Sequence, residues 1–300
     1  MNNPQRGRRV NRPDNISVFY PETETTLLAY LIEVLSPKSR TEIKSLLAHQ
    51  QVMLNGTPTR QFDEPLAPGD EVVVNFSRPF ATLNHPMINL MYEDEHIVVI
   101  SKESGLLSEP VGARSREKSA QKIVDEYLYA SDGRTHAYTV HRLDQFTSGI
   151  LIFAKNPAVQ RKLREAWSTY IVERRYMAIV EGTPRDPEGE ISSYLVENKN
   201  MVVYSTRDPE KGKLAVTRYH VIKSSRGYSQ VDLQILTGRK NQIRVHLSDI
   251  KCPIAGDRKY GAKTNPKGRL MLHNYLLQFI HPVTRENLKF ELPLPKIFNI

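Results

Sequence analysis

The residues from Tyr138 to Gly149 concentrate the groups that could do chemistry. In the string Tyr-Thr-Val-His-Arg-Leu-Asp-Gln-Phe-Thr-Ser-Gly, Asp144 follows His141 and Arg142 and precedes Thr147 and Ser148. The apolar run Ile150-Leu151-Ile152-Phe153-Ala154 comes next and predicts a buried strand. A carboxylate on a tight loop ahead of such a strand has two readings. It can stabilise the turn by accepting bonds from nearby backbone N–H groups. It can also act as a nucleophile or general base, because the strand fixes it and Arg142 brings a positive charge close. These residues alone leave both readings open. A glycosidase would want two carboxylates at a set separation, and no second acid stands out beside Asp144.

The surrounding pattern predicts what must hold that loop. Strands are expected at 88–92 and 97–101 around an acidic turn, and again at 175–181, 214–223, 229–236, 272–279 and 287–292. Helices are expected over 117–129 and from Pro157, a good first helical residue, through Trp167. Strands with few helices read as α+β with a large mixed or antiparallel sheet. Ahead of this part, Leu27, Leu28, Leu31, Ile32 and Leu35 recur at helical spacing. Ser39 with Glu42 predicts a capping box at the start of a second helix. Val52-Met53-Leu54 running into Asn55-Gly56 predicts a hairpin, and 71–76 a closing strand. The expected organisation is a disordered basic arm over 1–15, a small α/β domain over 16–77, a linker over 78–86 and a catalytic domain over 87–300.

The net charge of +9 favours a polyanionic partner. In residues 1–80, Lys plus Arg equal Asp plus Glu at nine each, so the surplus lies in the larger part. No run of about 18 apolar residues is present, so no membrane span is expected. The single cysteine, Cys252, cannot form an intrachain disulfide, which fits the cytoplasm, and it reads as a small buried apolar residue. The histidines lack zinc-type spacing, and neither metal nor cofactor is expected.

His141-Arg142-Leu143-Asp144, then Thr147-Ser148-Gly149 and Phe153-Ala154-Lys155, resembles the signature of the RluA-type pseudouridine synthases. Tyr92-Glu93-Asp94-Glu95 with Lys102 and Gly105 fits the same pattern, as does Arg175-Tyr176-Met177-Ala178. Gly238-Arg239, Gln242-Ile243-Arg244 and His246-Leu247 follow in the family's order, then Gly256-Asp257, Tyr260-Gly261, Leu272-His273 and His281-Pro282. The resemblance implies a pseudouridine synthase fold and an isomerase of uridine in RNA that needs no cofactor. It implies that Asp144 is the catalytic carboxylate, that Tyr176 stacks on a flipped uracil and that Arg244 pairs with Asp144. Arg142 matches an arginine that enters the vacated base position or grips RNA. Arg239 and Lys240 would touch phosphates, and His141 would either donate to a phosphate or pack the loop. Ser39-Arg40, the helix over 43–47, Leu54-Asn55-Gly56 and Gly69-Asp70-Glu71-Val72 resemble an S4 RNA-binding domain, with Lys38, Arg40 and Lys44 facing RNA. The expected partner is ribosomal RNA of the large subunit, with transfer RNA as the alternative, and the chain is expected to act as a monomer. A non-catalytic RNA-binding or ribosome-assembly protein is the rival reading. Three departures stand out. Lys102-Glu103-Ser104-Gly105 lacks the family's proline, which predicts a looser loop. Asn241 replaces a frequent His, and Gln145 a frequent Lys or Arg.

Overall fold

The computed structural model describes residues 15–112 and 117–300, so most of the basic arm, 1–14, lies outside the described residues. The chain divides into two compact units. One comprises the described residues up to Thr82 together with Tyr127–Arg134; the other comprises Leu83–Glu126 and Thr135–Ile300.

The first unit contains β1 (Ile16–Phe19), β2 (Thr25–Thr26), α1 (Leu27–Val34), α2 (Arg40–Ala48), β3 (Val52–Leu54), β4 (Thr57–Thr59), β5 (Pro65–Leu66) and β6 (Val72–Asn75). Its main sheet runs β1-β6-β3-β4. The capping box forms as its residues predict: the Glu42 amide donates to Ser39 Oγ at 3.3 Å, and the Ser39 amide donates to Glu42 Oε2 at 2.7 Å. The β3–β4 turn needs positive φ at two successive positions, and Asn55 (48°) and Gly56 (79°) supply it. Leu27, Leu31, Ile43, Leu47, Val52 and Val74 fill one core. Strand β1 carries no sequence signal, because it exposes Ile16 and Val18 and shows no buried face.

The second unit is built on one eleven-stranded sheet. In chain order it contains β7 (Ile88–Glu93), β8 (Ile97–Lys102), α3 (Ala120–Asp132, which runs on into the first unit's residues), β9 (Tyr138–Thr139), β10 (Ser148–Ala154), α4 (Pro157–Glu165) and α5 (Trp167–Tyr170). There follow β11 (Ile171–Glu181), β12 (Glu188–Glu197), β13 (Val203–Thr206), β14 (Lys213–Ser225), β15 (Tyr228–Ile235), α6 (Gln242–Asp249), β16 (Leu272–Ile280) and β17 (Asn287–Glu291). The order is β13-β12-β14-β15-β11-β16-β10-β8-β7, with β17 on β16 and β9 on β10. All pairings are antiparallel except β10 with β16, so the sheet is mixed.

Every residue of β10 is buried, as its unbroken apolar run predicts. Gly149 is what lets β10 meet β16. Its φ is +129°, and a Cβ there would lie 2.2 Å from the Asn274 carbonyl oxygen. The helix expected from Pro157 through Trp167 is instead two pieces meeting at Ala166, whose φ of −115° is not helical. Its start is as expected: Asn156 Oδ1 accepts from the Val159 amide at 2.9 Å, and Pro157 takes the first turn. The strand expected at 175–181 begins earlier, at Ile171.

Candidate active site

Asp144 lies in the loop between β9 and β10, and that loop is fixed on both sides. Ser108 Oγ donates to the Leu143 carbonyl at 2.7 Å and accepts from the Leu143 amide at 3.1 Å. The Thr147 amide donates to the Asp144 carbonyl at 3.0 Å, which closes the turn. The Lys102 side chain, 1% exposed, donates to the carbonyls of Glu103, Leu106 and Gln145 at 3.0, 2.8 and 3.1 Å. Burial, and then the Arg269 charge, push this ammonium down to about 7. The segment 103–105 is not the loose loop that the missing proline predicts. Ser104 Oγ donates to the Phe146 carbonyl at 2.7 Å, and Gln145 Nε2 donates to the Gly105 carbonyl at 3.1 Å. Side-chain bonds across the two loops replace the stiffness of a ring.

The Asp144 carboxylate faces Arg244, whose Nη1 donates to Asp144 Oδ2 at 3.1 Å. Arg244 is held in turn by a second acid. Asp257, 2% exposed, accepts from Arg244 Nε at 2.7 Å and from Nη2 at 2.8 Å. Arg244 Nη1 also donates to Asn241 Oδ1 at 3.2 Å, and the guanidinium lies 4.8 Å from the Tyr260 ring centroid. Burial opposes the Arg244 charge, but the bonds and charges of Asp257 and Asp144 outweigh it and hold its pKa above the ordinary value. Asn241 suits its place. It precedes α6 at a φ of 54°, a conformation Asn tolerates, and its amide donates to the Tyr260 hydroxyl at 2.8 Å. In the sequence Asp257 stands in a motif without an evident role; in the fold it is the carboxylate that orients the arginine.

A cavity of about 1260 Å³ opens beside Asp144, all within the second unit. Tyr176, on β11, forms part of its wall and is 7% exposed; burial pushes its phenol up. The cavity exceeds the roughly 300–1,000 Å³ of a small-molecule pocket, so it has room for a nucleotide with its neighbours. Arg142 lies at its edge, exposed, with Nη1 2.8 Å from Glu109 Oε1. Arg239 and Lys240 lie at another edge. Arg239 Nε donates to the Leu214 carbonyl at 2.9 Å, and Lys240 forms an ion pair with Glu197. His141 is on the wall but not as a cation: burial, and then the Arg174 charge, push its ring down to about 3. Its Nε2 accepts from the Ile152 amide at 3.2 Å, and its ring lies 4.8 Å from that of Trp167. Packing the loop is therefore its visible work, with Nδ1 left as the N–H. Arg174 and Trp167 also line the cavity, and the sequence motifs do not mark either of them.

Lys38, Arg40 and Lys44 belong to the first unit and are exposed. Lys38 Nζ lies 5.3 Å from the Phe76 ring centroid, and Lys44 Nζ lies 5.8 Å from that of Phe62. Cys252 is buried, as expected. Among the described residues no cluster of His, Cys, Asp and Glu is placed to hold a metal ion.

A carboxylate held by a guanidinium at the edge of a cavity with a buried aromatic wall can attack or deprotonate a ring laid against that wall. Comparison with known proteins gives this arrangement its family. Residues 96–249 match the family model for RNA pseudouridylate synthases. An uncharacterized RNA pseudouridine synthase of Bacillus subtilis is 35% identical over 235 residues, covering 77% of this chain and 82% of that protein. The ribosomal large subunit pseudouridine synthase D of Escherichia coli is 29% identical over 289 residues, covering 89% and 86%. Among solved structures, human RNA pseudouridylate synthase domain containing 4 shares the fold, with a TM-score of 0.57, 24% identity, and coverage of 70% of this chain and 90% of that one. The chain belongs to the RNA pseudouridylate synthase family, and it is an isomerase that converts uridine in RNA to pseudouridine.

Proposed function

We propose that Asp144 is the carboxylate that carries the reaction and that the substrate is ribosomal RNA of the large subunit. The observation that carries the first part is the Asp144–Arg244–Asp257 arrangement beside the cavity. The reaction detaches uracil from its ribose at N1 and rejoins it at C5. The base must first leave its stack, at a cost of a few kcal/mol. Tyr176 offers a ring for the flipped uracil, and stacking returns about 1–3 kcal/mol per base. Arg244 keeps the Asp144 carboxylate aimed and charge-balanced, and Asp257 keeps Arg244 in place. Arg142, Arg239 and Lys240 take phosphates at the cavity edge, trading their present acidic or carbonyl partners for RNA.

The target rests on the relative from Escherichia coli named for the large ribosomal subunit, which aligns over most of both chains. The first unit fits a second RNA-gripping module of the S4 kind. It carries exposed Lys38, Arg40 and Lys44 on and just before a capped helix, next to an Asn-Gly hairpin. The deciding experiment maps pseudouridines in ribosomal and transfer RNA from cells with and without the protein, alongside the purified Asp144→Asn variant. The expected result is a large-subunit uridine left unconverted without the protein, and no conversion by the variant although it still binds RNA. Conversion by Asp144→Asn would overturn the assignment of the carboxylate. A change confined to transfer RNA would overturn the target.

A further inference from the structure

Among the cations of the second unit, Arg174 stands apart. It is only 9% exposed yet lines the cavity. Among the described residues its guanidinium makes one hydrogen bond, from Nη2 to the Thr237 carbonyl at 3.3 Å, and its Nε–H, also buried, has no partner there. Among the described residues no carboxylate lies within ion-pair distance of it. Of the four acids that line the cavity, three are engaged elsewhere, Glu109 with Arg142 at 2.8 Å, Asp144 with Arg244 at 3.1 Å and Glu173 with Arg175 at 3.1 Å, and the fourth, Glu165, is exposed and forms no ion pair with Arg174. A guanidinium has five N–H donors, and leaving most of them unused out of water is costly. The partial compensation is Trp167, whose ring centroid is 5.5 Å from the guanidinium carbon. A buried charge left this poorly balanced is held ready for an anion that arrives with the substrate.

The surroundings are shaped for such an arrival. Gly238 lies against the guanidinium, and a Cβ there would be 3.2 Å from Nη2 and 3.3 Å from Nη1. The missing side chain keeps that side of the fork clear. Strand alternation puts Arg174 and Tyr176 on one face of β11, with Arg175 on the other, where it pairs with Asp232 and Glu173. The unpaired cation and the aromatic wall thus share a face.

We propose that Arg174, backed by Trp167 and the Thr237–Gly238 turn, forms a subsite for one backbone phosphate of the RNA, next to the nucleotide that enters beside Tyr176. RNA brings one permanent negative charge per nucleotide, and the planar fork can take two phosphate oxygens at once. The subsite rests on the cavity being the place where RNA enters, and it is tested without relying on turnover.

Trp167 is the chain's only tryptophan, so its emission reports on this subsite. The purified protein is titrated with uridine 5′-monophosphate, uridine 3′-monophosphate, inorganic phosphate and uridine. The expected result is a saturable change with phosphate and with at least one nucleotide, at a midpoint about tenfold or more below that of uridine. Arg174→Gln raises the nucleotide midpoint to that of uridine and leaves the uridine response alone; Arg174→Lys recovers part of the difference. The subsite is overturned if uridine and both nucleotides titrate alike in the unaltered protein, since a guanidinium serving the uracil oxygens would respond that way. It is equally overturned if no phosphate-bearing probe changes the emission, or if Arg174→Gln keeps the original midpoint. The comparison of uridine with its phosphates needs no variant, so a failure to distinguish them overturns the subsite even if Arg174→Gln folds poorly, and Arg174→Lys, which keeps the charge, then separates Arg174 from the cations at the cavity edge. Pseudouridine formation on ribosomal RNA is measured separately, so failure there bears on the proposed function and not on this subsite.

Discussion

Asp257→Asn changes one oxygen to an amide on a side chain that is 2% exposed and cannot reach solvent as a substitute partner. Two charge-assisted bonds to Arg244, at 2.7 and 2.8 Å, depend on it. The amide keeps one acceptor and turns the other position into a donor facing a donor. Removing one partner of a buried pair costs about 3–5 kcal/mol, and the retained acceptor puts the expected loss near the lower end, about 3 kcal/mol. The catalytic effect follows a different path. Arg244 is left with Asp144 as its sole anionic partner and with one weaker bond to Asn241. The guanidinium is then drawn onto Asp144 and loses its own fixed aim, and an error of about 1 Å in a reacting group costs about a hundredfold in rate. The assays are urea unfolding for stability and single-turnover conversion of RNA, with the concentration dependence measured for each protein. The expected outcome is a turnover rate about a hundredfold lower, with the half-saturating RNA concentration within about threefold, because Asp257 has no path to the substrate. Asp257→Glu, which restores the charge, should recover part of the rate. A variant with weakened RNA affinity and an unchanged rate would refute the reasoning, as would one unaffected in both assays.

Tyr176→Phe should leave conversion nearly intact, whereas Tyr176→Ala should lower it by the loss of about 1–3 kcal/mol of stacking, roughly five- to 150-fold; equal losses in both would point to the hydroxyl instead of the ring. Stability should fall steeply on mild acidification. Burial holds His246 and His273 at about 4 and His141 at about 3, against 6.5 for each in the unfolded chain. Between pH 6.5 and about 4 the unfolded state therefore takes up protons that the native state refuses, so stability is lost as pH falls through that window. The slope should approach about 3 protons, or about 4 kcal/mol per pH unit, near pH 5, read from urea unfolding at a series of pH values. A flat profile there would contradict the neutral state of these rings. Gly149→Ala should destabilise by more than about 3 kcal/mol, since a Cβ 2.2 Å from the Asn274 carbonyl forces β10 and β16 apart; a melting temperature within about 1 °C of the unaltered protein would rule this out.

The sequence exposes the site unevenly, and the reason is geometric. Asp144, Tyr176 and Arg244 each sit in a short string that resembles a family motif, so the resemblance singles them out before any fold is known. Asp257 cannot be given a role that way, because its role is a contact with Arg244, thirteen residues away across a helix and a turn. Arg174 is hidden by its neighbour. An Arg-Arg pair reads as solvated charge, yet two-residue alternation along a strand already separates the two, and that signal, applied from Tyr176 backwards, would find it. The fold shows the same contrast. Strand β10 is legible from its unbroken apolar run, while β12 alternates between exposed and half-buried residues and buries only Leu195. With so weak an inner face, hydrophobic period carries no signal, and its pairing with β13 and β14 decides its structure. Helix α6 escapes the apolar pattern for a related reason: its buried set includes Gln242 and His246, polar residues satisfied by partners on β12 and β14.

The position of β16 has a consequence for the protein's birth. It fills the gap between β10 and β11, yet it is synthesised after both of them and after β12 to β15. A ribosome adding about 5–20 residues each second needs roughly 6–25 s to travel from the end of β10 to the end of β16. Throughout that interval β10, apolar from Ile150 to Ala154, presents an open strand edge, and β11 presents another once it has been made. Asp144 likewise waits for Arg244, which arrives a hundred residues later. The nascent chain is thus most exposed to mispairing just before β16 arrives to close the sheet between β10 and β11.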